Sequence, residues 1–302
     1  LSSAASGTAS YAVSLALPSV PGGFAPELAL TYDGGRGASE VGLGWRLSGV
    51  PSLRRRTQEG LPRFDESDTF EVVGLGTTSE LLEVSSGVYR PEHEDGSFVR
   101  VTRSGAGWEL RTKQGITYRF GGNGCAEAEG TKVARWLLRE QEDRFGHKIA
   151  YEWATDGGWA RLKQVTVGSG EAAVTVRFTY EARSDRQLVF SQGLRQELTE
   201  RLAAIDVERG GEPVRSYRLG YAEEPTQTLL TSMQLTGADG KTTLPTLGLE
   251  YTALELEASP ITMTQAPGIS PAEPDAALVD LDGDSLPDLL IGEAGSYRSY
   301  LN

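Results

Sequence analysis

Apolar and polar residues alternate along most of this chain with a period of two rather than 3.6, which is strand patterning. The alternation runs through Tyr11–Leu17, Glu27–Tyr32, Phe98–Arg103, Trp108–Arg111, Ile116–Phe120, Ile149–Trp153, Leu162–Val167 and Ala173–Tyr180. It resumes in Ala203–Arg209, Val214–Tyr221, Leu229–Leu235 and Leu247–Tyr251. A strand of this kind buries alternate side chains on one face and leaves the others to solvent or to a second layer. Glycine-bearing turns separate the runs. Ser104-Gly105-Ala106-Gly107, Thr155-Asp156-Gly157-Gly158 and Arg209-Gly210-Gly211-Glu212 each supply glycine where a hairpin needs positive φ. Two segments, Lys132–Asp143 and Leu194–Ala204, also carry helix-compatible spacing (Val133, Trp136, Leu137; Leu194, Leu198, Leu202). Both run directly into hairpins, so strands are the expectation there.

The pattern breaks at Glu255–Asp275, where Pro260, Pro267, Pro271 and Pro274 lie among Ser, Thr, Ala and Gly. Proline removes a backbone donor and favours extended chain, so this stretch reads as a linker. The fold expected is all-β: a large antiparallel β domain over residues 1–254, a linker over 255–275 and a small β unit over 276–302.

The chain has 302 residues, a net charge of −13, 37 glycines and one cysteine. That length suffices for a substantial buried core. Without a basic stripe, so acidic a chain argues against nucleic acid and against anionic membrane surfaces as partners. Cys125 cannot form an internal disulfide or a CxxC metal site, and it reads as an incidental thiol. His93 and His147, the two histidines, sit in no catalytic motif. No apolar run is long enough to span a bilayer. The opening LSSAASGTASYAVSLAL lacks a basic n-region, so it is not read as a signal peptide, and the start at Leu1 suggests a segment of something longer.

The densest chemistry lies in Asp280-Leu281-Asp282-Gly283-Asp284-Ser285-Leu286-Pro287-Asp288. Carboxylates at relative positions 1, 3, 5 and 9 repel one another unless a cation holds them. Calcium takes about 6–8 oxygen ligands at about 2.3–2.6 Å, which suits Asp280, Asp282, Asp284 and Asp288 with the carbonyl of Leu286. Gly283 supplies the sharp turn. The loop is not an EF-hand, since Ile291 stands where the closing Glu belongs and strands flank it. The run Val279 to Gly292, VDLDGDSLPDLLIG, resembles the FG-GAP/VCBS repeat of integrin-α-like β-propellers, with Ser285 replacing the usual Gly. The resemblance implies a structural Ca2+ and the first blade of a propeller.

A second motif opens the chain. Pro21-Gly22-Gly23-Phe24-Ala25-Pro26 is followed by Leu30-Thr31-Tyr32-Asp33-Gly34-Gly35 and by Gly42-Leu43-Gly44-Trp45. No GK[ST] and no helix pattern follow, so this is not a phosphate loop, and Trp45 reads as a core anchor. The three arginines Arg54, Arg55 and Arg56 alternate faces on a strand, with Asp65, Glu66 and Asp68 close behind to balance them. Further on stand Asp143-Arg144-Phe145-Gly146-His147-Lys148-Ile149-Ala150-Tyr151, Arg215–Tyr221 and Leu244–Tyr251. Together these residues resemble the SpvB-type N-terminal domain of the B component of insecticidal toxin complexes (Tc toxins), with Gly34 for the usual Ser and His147 for the usual Asn. The Asp143–Tyr151 segment is also similar to RHS/YD-repeat shells.

The resemblance implies a non-enzymatic module of a secreted toxin complex. With a C component it would build a β-shell around a cytotoxic fragment, and its propeller would dock to an A-component channel. Two other functions fit the same residues: the N-terminal domain of a secreted ADP-ribosyltransferase virulence protein, and a calcium-dependent adhesin. No Arg…Ser-Thr-Ser…Glu-x-Glu transferase signature, HExxH or zinc spacing is present in the sequence, and no carboxylate pair is marked as catalytic.

Overall fold

The computed structural model describes residues 8–76, 79–156, 158–224, 227–252, 268–283 and 286–301. The chain divides into two units, Leu1–Glu250 and Tyr251–Asn302. Both are built from antiparallel strands, as the alternation predicts.

The first unit opens with β1 (Ser10–Ser14), β2 (Ala29–Asp33), the two-residue β3 (Ala38–Ser39) and β4 (Gly42–Leu43), and β5 (Trp45–Ser48). β1, β2 and β5 form a three-stranded sheet, and β3 pairs with β4. Trp45 is 2 % exposed, with Tyr32 and Tyr11 ring centroids 5.4 and 6.4 Å away. The two glycines before it hold φ of 101° and 75°. A Cβ at Gly42 would stand 2.8 Å from the Thr228 carbonyl oxygen, and one at Gly44 would stand 2.5 Å from the Tyr32 ring. The glycines of this motif therefore serve close packing, as its sequence suggested.

A second series follows: β6 (Ser52–Arg55), β7 (Phe70–Val73), β8 (Glu80–Ser85), β9 (Val88–Pro91), β10 (Arg100–Ser104), β11 (Gly107–Arg111), β12 (Thr117–Gly121), β13 (Ala126–Glu129) and β14 (Lys132–Glu142). Each of β6 to β12 pairs with the next, and β14 then pairs with both β6 and β12. The ring closes into an eight-stranded barrel. Full closure leaves no open sheet edge. Inside, Phe70, Tyr89, Trp108 and Trp136 pack with centroids 4.9–6.2 Å apart, mostly edge to face. The Arg55 guanidinium lies 5.3 Å from the Phe70 ring and 5.5 Å from that of Trp136. Asp68 pairs with it at 2.5 Å and also accepts from the Arg63 and Phe64 amides. Arg54 and Arg56 point the other way, to Glu71 and, for Arg56, also Glu80.

From β14 the sheet continues as a meander: β15 (Lys148–Asp156), β16 (Trp159–Val167), β17 (Val174–Ser191), β18 (Leu194–Arg209), β19 (Glu212–Glu224), β20 (Gln227–Gly237) and β21 (Leu247–Gly248). The two segments with mixed periodicity are strands, in β14 and β18. β17 leaves β16 after Arg177 and reaches β20, where the Thr228 hydroxyl donates to Asp185. Asp185 also takes two bonds from Arg183, at 2.8 and 2.9 Å, and Arg183 donates to the Ser39 carbonyl oxygen. The Glu40 carbonyl accepts from Leu202 N at 2.7 Å. The β3–β4 turn is thereby pinned against β17, β18 and β20.

Three expectations change. Strands β7, β8 and β9 do not stand out in the sequence: β7 and β9 are four residues long, and β8 shows solvent almost its whole length. β17 runs eleven residues past Tyr180, through a polar stretch that reads as a turn. Of Leu247–Tyr251 only Leu247–Gly248 is strand. Most of the expected linker lies outside the described residues, and its described end, 268–275, consists of turns and bends.

The second unit holds β22 (Ala276–Val279), β23 (Asp288–Glu293) and β24 (Ser296–Tyr300) in one antiparallel sheet. Leu289 and Ile291 are buried, whereas Leu278, Tyr297 and Leu301 are exposed.

Candidate metal centre in the second unit

The aspartate loop connects β22 to β23, two strands paired from Ala276↔Ile291 to Val279↔Asp288. This pairing brings the two ends of the loop together, so that Asp280 and Asp288 become neighbours although eight positions separate them. Gly283 adopts φ 81° at the turn, a left-handed conformation that favours glycine. Its amide donates to Asp280 Oδ1 at 2.7 Å, and the Leu281 amide donates to Asp288 Oδ2 at 2.8 Å. These bonds aim the carboxylates inward.

The result is a cluster in which one carboxylate oxygen from each of Asp280, Asp282 and Asp288 lies within 4.8 Å of the others. Oxygens around one Ca2+ at about 2.4 Å stand at most about 4.8 Å apart, so the spacing fits a shared calcium shell. Asp288 is 1 % exposed while Asp280 and Asp282 face solvent. The site therefore has a buried floor and an open mouth. Asp284 lies outside the described residues. Leu286, expected to lend its carbonyl, sits in the turn before β23 with its side chain exposed. The burial of Asp288, unlike that of Asp280 and Asp282, follows from its place as first residue of β23 and has no local sequence signal.

Cys125 is buried against Leu137 and Ala160, and burial pushes its thiol up, away from the reactive thiolate. His147 Nδ1 lies 2.8 Å from Asp143 Oδ2, and its ring packs so tightly over Gly22 that a Cβ there would fall 2.8 Å from Nδ1.

Residues 3–103 match the family model of the Salmonella virulence plasmid 65kDa B protein. Two curated relatives, the mono(ADP-ribosyl)transferases SpvB of Salmonella typhimurium and Salmonella dublin, are each 29 % identical over 182 residues, which is 48 % of this chain and 30 % of theirs. The chain thus spans less than a third of the length of these relatives. Among solved structures, the N-terminal domain of the effector protein SpvB from Salmonella typhimurium matches with TM-score 0.64 and 22 % identity over 74 % of this chain and 98 % of that one. A Photorhabdus luminescens Tc holotoxin pore matches with TM-score 0.71 and 22 % identity over 95 % of this chain and 18 % of that one. A TcdB2-TccC3-Cdc42 structure gives TM-score 0.70 with the same identity and coverage. Residues 3–103 are thus similar to the SpvB family model, and the fold of the chain is shared by the SpvB N-terminal domain and by Tc toxin chains.

Proposed function

We propose that this chain is a non-enzymatic structural module of a secreted bacterial toxin complex. In this reading the first unit forms part of a β-shell that encloses a cytotoxic fragment. The second unit opens an FG-GAP/VCBS-type propeller that docks to a translocation channel and holds a structural Ca2+. The observation that carries the reading is coverage. A match over 95 % of the chain leaves too few residues outside it to omit Tyr251–Asn302. The SpvB N-terminal domain is matched almost completely while leaving about a quarter of this chain unmatched.

The test is assembly. The full-length protein co-expressed with its C component is expected to elute as one complex in which the enclosed fragment resists protease. Separate elution together with NAD-dependent labelling of host protein would instead establish the second reading, the N-terminal domain of a secreted ADP-ribosyltransferase virulence protein, which the 29 % identity to SpvB favours.

Calcium binding by the loop has its own measurement. Terbium luminescence or calorimetry should detect a metal bound weakly by this chain alone, because one blade without neighbours does not preorganise its loop. Asp288→Asn should abolish the signal. Submicromolar affinity would overturn the view that further blades complete the site.

A further inference from the structure

A cleft of about 300 Å³ opens in the first unit between β5, β14, β15, β16 and β17. Its volume is at the lower end of the range for small-molecule sites. Two kinds of group line it. Trp153, Trp159 and Tyr180 provide partly exposed aromatic walls. Trp153 Nε1 donates to the Leu138 carbonyl at 2.7 Å and the Tyr180 hydroxyl to that of Leu162 at 2.9 Å, so these rings are held in place before any ligand arrives.

The charged lining is mostly cationic, against the net −13 of the whole chain. Arg161 is paired with Glu200, and Arg135 reaches buried Glu127 at 2.8 Å through Nη2. Arg135 Nε is buried without a hydrogen-bond partner among the described residues. Arg46, on β5, forms no ion pair among them. The facing carboxyl is Glu40, which takes a long bond from Leu47 N at 3.4 Å. Burial pushes this carboxyl up, against the opposing pull of backbone hydrogen bonds, Arg135 and Arg46.

We propose that this cleft binds a small carboxylated sugar, with the pyranose ring against the tryptophan walls and its carboxylate on Arg46. A guanidinium matches a carboxylate with two parallel N–H donors. Inorganic phosphate offers no ring to the tryptophan walls, and a neutral sugar offers no carboxylate to Arg46.

D-glucuronate is the probe, with D-glucose as its neutral twin and inorganic phosphate as the anion without a ring. Calorimetry with tryptophan fluorescence should show saturable glucuronate binding, and glucose and phosphate should bind at least about tenfold more weakly. Arg46→Met should weaken glucuronate about tenfold or more with the melting temperature unchanged, and Arg46→Lys should restore part of it. Absence of saturable glucuronate binding would overturn the proposal. So would equal binding of either control, or an Arg46→Met protein that binds as well as the parent.

Discussion

Arg183 and Asp185 are the residues whose role is least visible in the sequence. They belong to a run, Arg183-Ser184-Asp185-Arg186-Gln187, with the composition of a solvated turn. In the structure their side chains are 0 % and 1 % exposed. Burial pushes the Asp185 carboxyl up, but bonds from Arg183 and Thr228 and the Arg183 charge outweigh it and bring it down to about 2. A carboxylate held at about 2 when folded and about 3.9 when unfolded stabilises the fold fully above the higher value. That contribution fades as pH falls through the lower one. Asp185→Asn, which strands a buried guanidinium, should cost about 3–5 kcal/mol at neutral pH. Urea midpoints of parent and variant should converge as pH drops from 5 to about 2. Trp45 is the opposite case. Its burial was legible from Gly42-Leu43-Gly44-Trp45 alone, and Trp45→Ala should cost about 3–5 kcal/mol by chemical denaturation. A midpoint within error of the parent would remove Trp45 from the core.

Among elements, hairpins were the easiest to read and the barrel the hardest. Gly210 and Gly211, with φ 59° and 89°, make the two-residue turn that their spacing predicts between β18 and β19. Local turn chemistry decides such pairs. The β6–β14 pairing joins residues about eighty positions apart, and nothing local in either strand names its partner. β14 is buried on both faces, with Trp136 and Leu138 in the main core and Leu137 against Cys125 and Ala160. That is why its apolar residues run together and imitate helical spacing. Gly121 ends β12 at the seam with φ 73°, and a Cβ there would stand 2.5 Å from the Trp136 ring. Gly121→Ala should therefore destabilise the first unit by more than about 1 kcal/mol, because the strained backbone adds to the clash. The same substitution at Gly87, with φ 69° but open space around it, should cost less. Thermal melts of the two variants side by side check the order.

Across the whole molecule, the alternation announced an all-β chain, and the structure brings one carboxylate oxygen from each of Asp280, Asp282 and Asp288 within 4.8 Å of the others. The alternation did not announce the Arg46 cleft, because the strands that line it are scattered from β5 to β17 and each contributes only one or two residues. Calcium should protect the second unit selectively, since Asp280, Asp282 and Asp288 all belong to it. Hydrogen exchange with and without millimolar calcium should slow amides of β22 and β23 and leave the barrel strands unchanged. Equal slowing in the barrel would place the ion elsewhere.

The barrel seam also sets an order of events during synthesis. β6 and β12 both need β14, so a nascent chain that has not yet emerged past Glu142 carries seven barrel strands and no means of joining the first to the last. Until then the edges of β6 and β12 stand open to other chains, and the aromatic interior lacks Trp136. A ribosome pausing upstream of that point would hold the protein at its most aggregation-prone. Release of one further strand removes both hazards at once.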